Sequence, residues 1–96
     1  MKNKQNVLDW AAAKNLLKPE NALKQFAKTV SEIGELGDAI IKDDQDGIID
    51  GLGDSVVTLI ILANQLGYDI EDCLQVAYKE IKNRTGKTVA GTFIKD

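Results

Sequence analysis

The sequence predicts an all-α fold, a four-helix bundle formed by one domain. Apolar residues recur at helical spacing in four segments, and polar or glycine-containing stretches separate these segments. The composition, 44% hydrophobic and 28% charged with a single proline, is that of an ordinary globular protein. The 96 residues are enough for one compact domain. We therefore expect a single all-α domain over residues 1–96, with an irregular C-terminal arm from about residue 85.

The first two helices are predicted from their apolar spacing and from Pro19. Helix one runs from Val7 to Leu17, and we expect Trp10 to pack inward. Pro19 suits the first turn of helix two, which continues to about Lys42. Its apolar stripe consists of Leu23, Phe26, Val30, Ile33, Gly37 and Ile40.

Helix three is the most apolar part of the chain. The polar turn at residues 42–47 is short enough to make helices two and three antiparallel neighbours. Helix three should run from Ile48 to Leu66, and from Val56 to Ala63 it is apolar nearly all the way round. Such a helix is buried on most sides. We predict that a second subunit completes the bundle through helix three, giving a homodimer or a homotetramer.

Helix four is predicted from its capping signals. Gly67 stands where a C-cap glycine ends helix three, and Asp69 can cap a helix from Ile70 to about Asn83. Cys73, the single cysteine, is expected in the core. The last ten residues show no helical period, and we expect them to be extended or irregular.

Charge and composition exclude several classes of function. The net charge is −3, and no run of lysines or arginines could follow a phosphate backbone, so no nucleic-acid partner is expected. No stretch approaches the roughly 18 apolar residues of a membrane span, and no signal sequence is recognisable, so we expect a cytoplasmic protein without a membrane partner. The absence of histidine excludes a Ser-His-Asp triad and the usual zinc sites.

Two acidic pairs suggest a metal site. Glu32 and Glu35 are three residues apart on helix two, and Asp50 and Asp54 are four apart on helix three, so each pair lies on one helix face. Carboxylates without histidine or cysteine suit Mg²⁺, with Mn²⁺ as a substitute. A solvated row of surface charges is the alternative for the pair on helix two.

The second acidic pair lies among glycines, and its chemistry points to a phosphate substrate. Gly47, Gly51 and Gly53 weaken a helix, which indicates close approach, although tight helix packing alone would explain them. Magnesium held by carboxylates often takes further ligands from phosphates, so we expect a di- or triphosphate. No P-loop is present. Lys28 lies one turn before Glu32 and could neutralise phosphate oxygens.

These motifs carry a resemblance to a known family. Trp10 precedes an E-x-x-E helix within residues 25–36, Leu52-Gly53-Asp54 leads into an apolar helix, and residues 77–87 and 91–95 complete the pattern. In these features the chain resembles the short, single-domain form of the MazG-like nucleoside triphosphate pyrophosphohydrolases found in bacteria and their phages. Two positions depart from the family pattern: Ser31 and Gly51 stand where glutamates are common.

The resemblance implies an all-α oligomer that cleaves nucleotides between the α- and β-phosphates. The reaction would be Mg²⁺-dependent, would give a nucleoside monophosphate and pyrophosphate, and would serve nucleotide-pool housecleaning. It implies catalytic and metal-binding roles for Glu32, Glu35 and Asp54, with Asp50 as a candidate substitute for the glutamate absent at Gly51. Further candidates for substrate binding are Lys28, Arg84, Lys87 and Lys95 at the phosphates and Trp10 as a stacking partner for the base.

Two other readings stay open at this level. The chain could be a nucleotide-binding or regulatory protein that has lost turnover, which the glycine at position 51 would explain. It could also be a purely structural dimerisation module, as the apolar third helix would allow. An enzyme would release pyrophosphate in a metal-dependent manner, and neither alternative would.

Overall fold

The computed structural model describes residues 1–96 and confirms the predicted all-α, four-helix architecture. A short 3₁₀ turn precedes the second helix, and a two-stranded antiparallel hairpin follows the fourth. None of the helices has the length and apolar character needed to cross a membrane. The elements are α1 (Lys4–Ala13), the 3₁₀ turn (Pro19–Asn21), α2 (Ala22–Ile41), α3 (Gln45–Gln65), α4 (Ile70–Ile81), β1 (Gly86–Val89) and β2 (Thr92–Lys95).

Local capping explains most of the helix boundaries. The Asp44 side chain accepts a hydrogen bond from the Gly47 amide (3.1 Å) and starts α3 three residues before the predicted position. The predicted cap Asp69 accepts from the Glu71 amide (2.8 Å), and Gly67 follows α3 with a φ of +87°. Helix α1 ends at Ala13 rather than at residue 17, because Asn15 adopts a left-handed φ of 60°.

Helices α2 and α3 meet through small and polar residues. A Cβ atom added at Gly51 would lie 3.0 Å from the Leu36 Cα atom, so the two backbones approach closely there. Next to this contact Ser55 and Thr58 are buried and donate their hydroxyls to carbonyls of α3 itself. The Gln25 amide donates to the Thr58 carbonyl across the interface (3.2 Å). Apart from Leu36, the contact is therefore made here by small or polar residues.

The predicted apolar stripe of α2 faces outward in the single chain. Only 11 of the 96 residues are buried, so one chain does not enclose a large core. On α3, Ile60, Ile61 and Ala63 are buried, whereas Leu52, Val56 and Leu59 are exposed, so one subunit by itself does not bury this helix on most sides. We call the exposed residues the outer apolar face; they are Phe26, Val30, Ile33 and Ile40 of α2 and Leu52, Val56 and Leu59 of α3.

Two residues expected in the core lie on the surface. Trp10 is 52% exposed, because the contact of α1 with α3 is made through the fully buried Ala11 on the neighbouring helix face. Cys73 is exposed because α4 has no neighbouring helix in its own chain beyond its first turn. Both predictions of inward packing are therefore wrong for the single chain.

The C-terminal segment, which we expected to be extended or irregular, is a regular β-hairpin. Its strands pair from Gly86 opposite Lys95 to Val89 opposite Thr92. The connecting residues Ala90 and Gly91 have φ values of 50° and 82°. Positive φ at both positions is the requirement of a two-residue type I′ turn, whose twist suits a hairpin.

Helix α4 and the hairpin form an extension that we call the α4–hairpin arm (residues 70–96). Only Ile70 and Glu71 are half-buried, and every later residue of the arm is exposed. The hairpin packs against none of the helices. The radius of gyration is 15.7 Å, whereas a compact domain of this length would have about 12–13 Å. The arm accounts for this elongation.

The glycines of α3 give a paired test of the α2–α3 contact. We expect Gly51→Ala to destabilise the protein by about 1–3 kcal/mol, because the added methyl group overpacks the contact with Leu36. Gly53 has open space around its Cβ position, so Gly53→Ala should instead stabilise the helix by about 1 kcal/mol. Urea unfolding of both variants measures the difference, and equal effects would contradict the close approach.

Candidate functional site

A groove between α2 and α3 is lined by the acidic residues predicted from the sequence. Its volume is about 360 Å³, and a single apolar side chain lines it. It brings together all four predicted metal ligands: Glu32, Glu35, Asp50 and Asp54. Two further carboxylates and one lysine complete its charged lining, namely Asp38, Asp44 and Lys42. The groove is therefore strongly negative.

Helix geometry and the close approach at Gly51 position these carboxylates. Residues three or four apart project from one helix face, and the three-residue connection 42–44 folds α3 back antiparallel to α2. A side chain at position 51 would begin 3.0 Å from the Leu36 backbone, so this packing leaves no room for a glutamate there. Asp50 lines the groove instead.

Glu32 and Lys28 form the one ion pair at the groove. Their Oε1 and Nζ atoms are 3.1 Å apart, Glu32 is only 7% exposed, and the Lys28 side chain is 61% exposed. The pKa of Lys28 is raised above its ordinary value, first by the hydrogen bond to Glu32 and then by the charge of Glu32. The charges of Glu35 and Asp54 raise it further, while desolvation lowers it. Lys28 therefore stays cationic beside the groove at neutral pH.

The donor set suits a hard divalent cation. All potential ligands are carboxylate oxygens, which Mg²⁺ and Mn²⁺ accept. No three acidic or cysteine side chains in the structure converge on a single point at which they could hold one ion. Magnesium does not require that convergence, since it is commonly bound by one or two carboxylates, several waters and substrate phosphates. The residues present therefore fit a magnesium ion shared with a phosphate ligand.

The other predicted substrate-binding residues lie outside the acidic groove. Trp10 lines a separate, mainly apolar pocket of about 390 Å³ together with Val7 and Asn6 of α1, Asn3 just before α1, and Val57 of α3. Val57 is one helical turn beyond Asp54 of the groove, so the pocket and the groove have lining residues on neighbouring turns of α3.

The three basic candidates near the C-terminus belong to the α4–hairpin arm. Arg84 pairs with Glu80 at 3.1 Å, and Lys87 and Lys95 lie on the two strands of the hairpin. None of the three lines the groove of its own chain. The structure thus brings the acidic candidates together and leaves the basic ones of the arm apart from them.

Three residues of the groove were not assigned a role from the sequence. Asp38 is three residues beyond Glu35, so helical spacing alone could have added it to the acidic face. Asp44 and Lys42 lie in the connection between the helices, where spacing gives no information about direction. Asp44 has a second function, since it also caps α3.

The ion pair at the groove gives a prediction for Lys28. Because the hydrogen bond to Glu32 is the largest cause of the raised pKa, Glu32→Gln should lower the pKa of Lys28 more than Glu35→Gln or Asp54→Asn. Side-chain NMR titration of the lysine Cε signals measures this. In the native protein the stabilising contribution is complete below pH 10.5 and is lost as the pH rises through the raised pKa. Equal shifts in all three variants would contradict this assignment.

The chain is similar to known proteins over most of its length. The model of the MazG nucleotide pyrophosphohydrolase domain matches residues 20–89, which is more than half of the chain and includes the whole acidic groove. The chain is also 40% identical over 60 residues to an uncharacterized 18.2 kDa protein in the rep-hol intergenic region of Haemophilus phage HP1 (strain HP1c1). That match covers 62% of this chain but only 37% of the phage protein. No solved structure matches. The chain belongs to the MazG nucleotide pyrophosphohydrolase domain family.

Proposed function

We propose that this protein is a Mg²⁺-dependent nucleoside triphosphate pyrophosphohydrolase, which gives a nucleoside monophosphate and pyrophosphate and so removes nucleotides from the cellular pool. The observation that carries the proposal is the acidic groove of a MazG-family domain, in which carboxylates of two rigid helices face one another. This arrangement supports phosphate chemistry through a cation, because carboxylates alone would repel a polyphosphate.

Four carboxylates would hold the metal: Glu32, Glu35, Asp50 and Asp54. Bound there, Mg²⁺ or Mn²⁺ would offset the negative charge of the phosphates and polarise the phosphorus–oxygen bond that breaks. Asp50 would take the place of the family glutamate, since the packing at Gly51 excludes a longer side chain.

Glu35 and Lys28 would have the remaining roles in the reaction. Glu32 is already neutralised by Lys28, whereas Glu35 is exposed to the groove and has no ion-pair partner. Of the two glutamates, Glu35 would therefore be the better base: one of its carboxylate oxygens would bind the metal and the other would take the proton of the attacking water. As the water oxygen bonds to the α-phosphorus, the bond to the bridging oxygen breaks and pyrophosphate leaves. Lys28 would donate hydrogen bonds to the phosphate oxygens.

The pocket beside Trp10 would hold the base. It lies one turn along α3 from Asp54, its lining is mostly apolar, and the half-exposed indole can stack on an aromatic ring. The exposure of Trp10, which contradicted the expectation of a core residue, supports this role in substrate binding.

We also propose a homodimer, or a homotetramer built from dimers, formed through the outer apolar face. On α2 the residues of this face are separated by four, three and seven positions, and on α3 by four and three. This is the spacing of a coiled-coil seam. The proposed interface therefore includes α2 as well as the predicted α3.

A regulatory protein without turnover is the second candidate. It is favoured by one observation, that no three carboxylates converge on a single ion position. Such a protein would bind a nucleotide in the groove without releasing pyrophosphate.

Pyrophosphate release tests the proposed activity. We expect release from one or more ribo- or deoxynucleoside triphosphates with Mg²⁺, and a loss of about 100-fold or more in Glu35→Ala and Asp54→Asn. The matched control is Asp46→Asn, which removes the same charge from α3 outside the groove and should retain activity.

Binding separates the two candidate functions. Isothermal titration calorimetry with Mn²⁺ and a nucleotide measures binding to each variant. Asp54→Asn should bind more weakly than Asp46→Asn under either candidate function. Binding without pyrophosphate release from any nucleotide would support the regulatory protein. Equal activity in the groove and control variants would refute the proposed site.

The dimer is tested by a charge on the outer apolar face. Ile33→Asp places an aspartate in the centre of the seam, where burying it is costly, so we expect dissociation to smaller species. Ser31→Asp adds the same charge to an exposed position of α2 away from the seam and should leave the assembly intact. Sedimentation velocity measures the oligomeric state of both variants and of the native protein. A monomeric native protein would refute the interface.

A further inference from the structure

Lys42 is the one lysine that lines the acidic groove, and it has no role in the reaction described above. It directly follows the last residue of α2 and is exposed. Although carboxylates surround it, Lys42 takes part in none of the ion pairs of the structure. Its ammonium group is therefore free to bind an anion that enters the groove.

The backbone around Lys42 is held in place by hydrogen bonds. The Lys42 amide donates to the Asp38 carbonyl (3.0 Å), and the Asp44 amide donates to the Ala39 carbonyl (2.9 Å). The Asp44 side chain also caps α3, and a Cβ atom added at Gly47 would lie 3.1 Å from the Ala39 Cβ atom. The two helices are thus close together at this end of the groove, and only the side chain of Lys42 is flexible.

The groove extends in one direction from the pocket beside Trp10. Val57 of that pocket is one turn from Asp54, and the lining of the groove then follows α3 back to its cap, Asp44. At about 1.5 Å per residue, the distance from Val57 to Asp44 is about 20 Å along the helix axis. Lys42 lies at this far end of the groove, beside Asp44.

An extended nucleoside triphosphate can occupy this length in one orientation. With its base beside Trp10, the α-phosphate lies nearest Lys28 and Asp54, and the γ-phosphate is the group farthest from the base. The four-carbon side chain of Lys42 is long and flexible enough to reach back along the groove toward that group. A diphosphate in the same orientation ends before the far end of the groove.

Without Lys42, the far end of the groove would repel a γ-phosphate. Asp38 and Asp44 line the groove there. Lys28 lies about 20 Å away along α2 and is engaged with Glu32. Because the terminal phosphate of a nucleotide carries its largest charge, and like charges repel, binding of this group depends on a cation at the far end.

We propose that Lys42 binds the γ-phosphate of the substrate and so selects nucleoside triphosphates over the corresponding diphosphates. Pyrophosphate then leaves from the Lys42 end of the groove, and the monophosphate leaves from the end beside Trp10. This role of Lys42 rests on the proposed function, in which the groove holds the phosphates and the pocket holds the base.

Binding of uncleavable analogues tests this role without requiring activity. The probes are the α,β-methylene di- and triphosphates of the common nucleoside that the native protein binds most tightly, measured by isothermal titration calorimetry with Mg²⁺. We expect the native protein to bind the triphosphate about tenfold or more tightly than the diphosphate. In Lys42→Met this difference should disappear through weaker binding of the triphosphate, while binding of the diphosphate stays unchanged.

Two further variants make the test specific to the charge at this position. Lys42→Arg retains the charge and should keep the preference for the triphosphate. Lys24→Met removes the same charge from an exposed position of α2 that does not line the groove, and it should leave both affinities unchanged. Because Lys42 is exposed and unpaired, urea unfolding should show native stability for Lys42→Met.

Two results would overturn the role of Lys42. If Lys42→Met binds the di- and triphosphate with equally reduced affinity, the lysine acts only as a general positive charge. If Lys42→Met keeps the native preference, another group holds the γ-phosphate.

Pyrophosphate release from the same variants separates this role from the proposed function. A native protein that binds the analogues but cleaves no nucleotide would refute the activity, while loss of the preference in Lys42→Met would still support Lys42 as the γ-phosphate ligand. An active protein in which Lys42→Met behaves like Lys24→Met would refute the role of Lys42 alone. A native protein that binds neither analogue would refute both.

Discussion

The close contact between α2 and α3 determines the arrangement of the rest of the molecule. At Gly51 the two backbones approach so closely that even a methyl group would press on Leu36. Small and hydrogen-bonded side chains such as Ser55 and Thr58 fill the space beside this point. Apart from Leu36, Ile60 and Ile61, most of the large apolar residues of the two helices lie on other sides of the helix pair.

This contact gives the helix pair two different sides. One side carries the acidic groove, and the outer apolar face lies on the other parts of the helix surfaces. Because the groove and the outer apolar face are separate, the carboxylates stay accessible to solvent and ligand. Hydrophobic association would then use a surface that takes no part in ligand binding. A helical domain of this size buries little within one chain, so the proposed association would supply the apolar burial that a larger domain finds internally.

The charged residues of the groove also differ in their roles. Lys28 neutralises the buried carboxylate of Glu32 and leaves Glu35, Asp50 and Asp54 more open to a ligand. Replacement of the family glutamate by Gly51 is consistent with this division, because the position is occupied by helix packing and the neighbouring Asp50 lines the groove. The basic candidates Arg84, Lys87 and Lys95 lie outside the groove, on the α4–hairpin arm.

The sequence by itself determined the four helices, the caps at Asp69 and Gly67, the antiparallel pairing of α2 with α3 and the acidic pairs, because these depend on local spacing and turn chemistry. It also contained an undetected hairpin signal, two β-branched runs around Ala90-Gly91. Only the tertiary structure decided which side of each helix faces inward. Periodicity locates an apolar stripe but not the surface that covers it, so Trp10 and Cys73 were wrongly predicted to lie in the core. Their positions depend on which helix faces have a neighbour, which is a property of the packed chain.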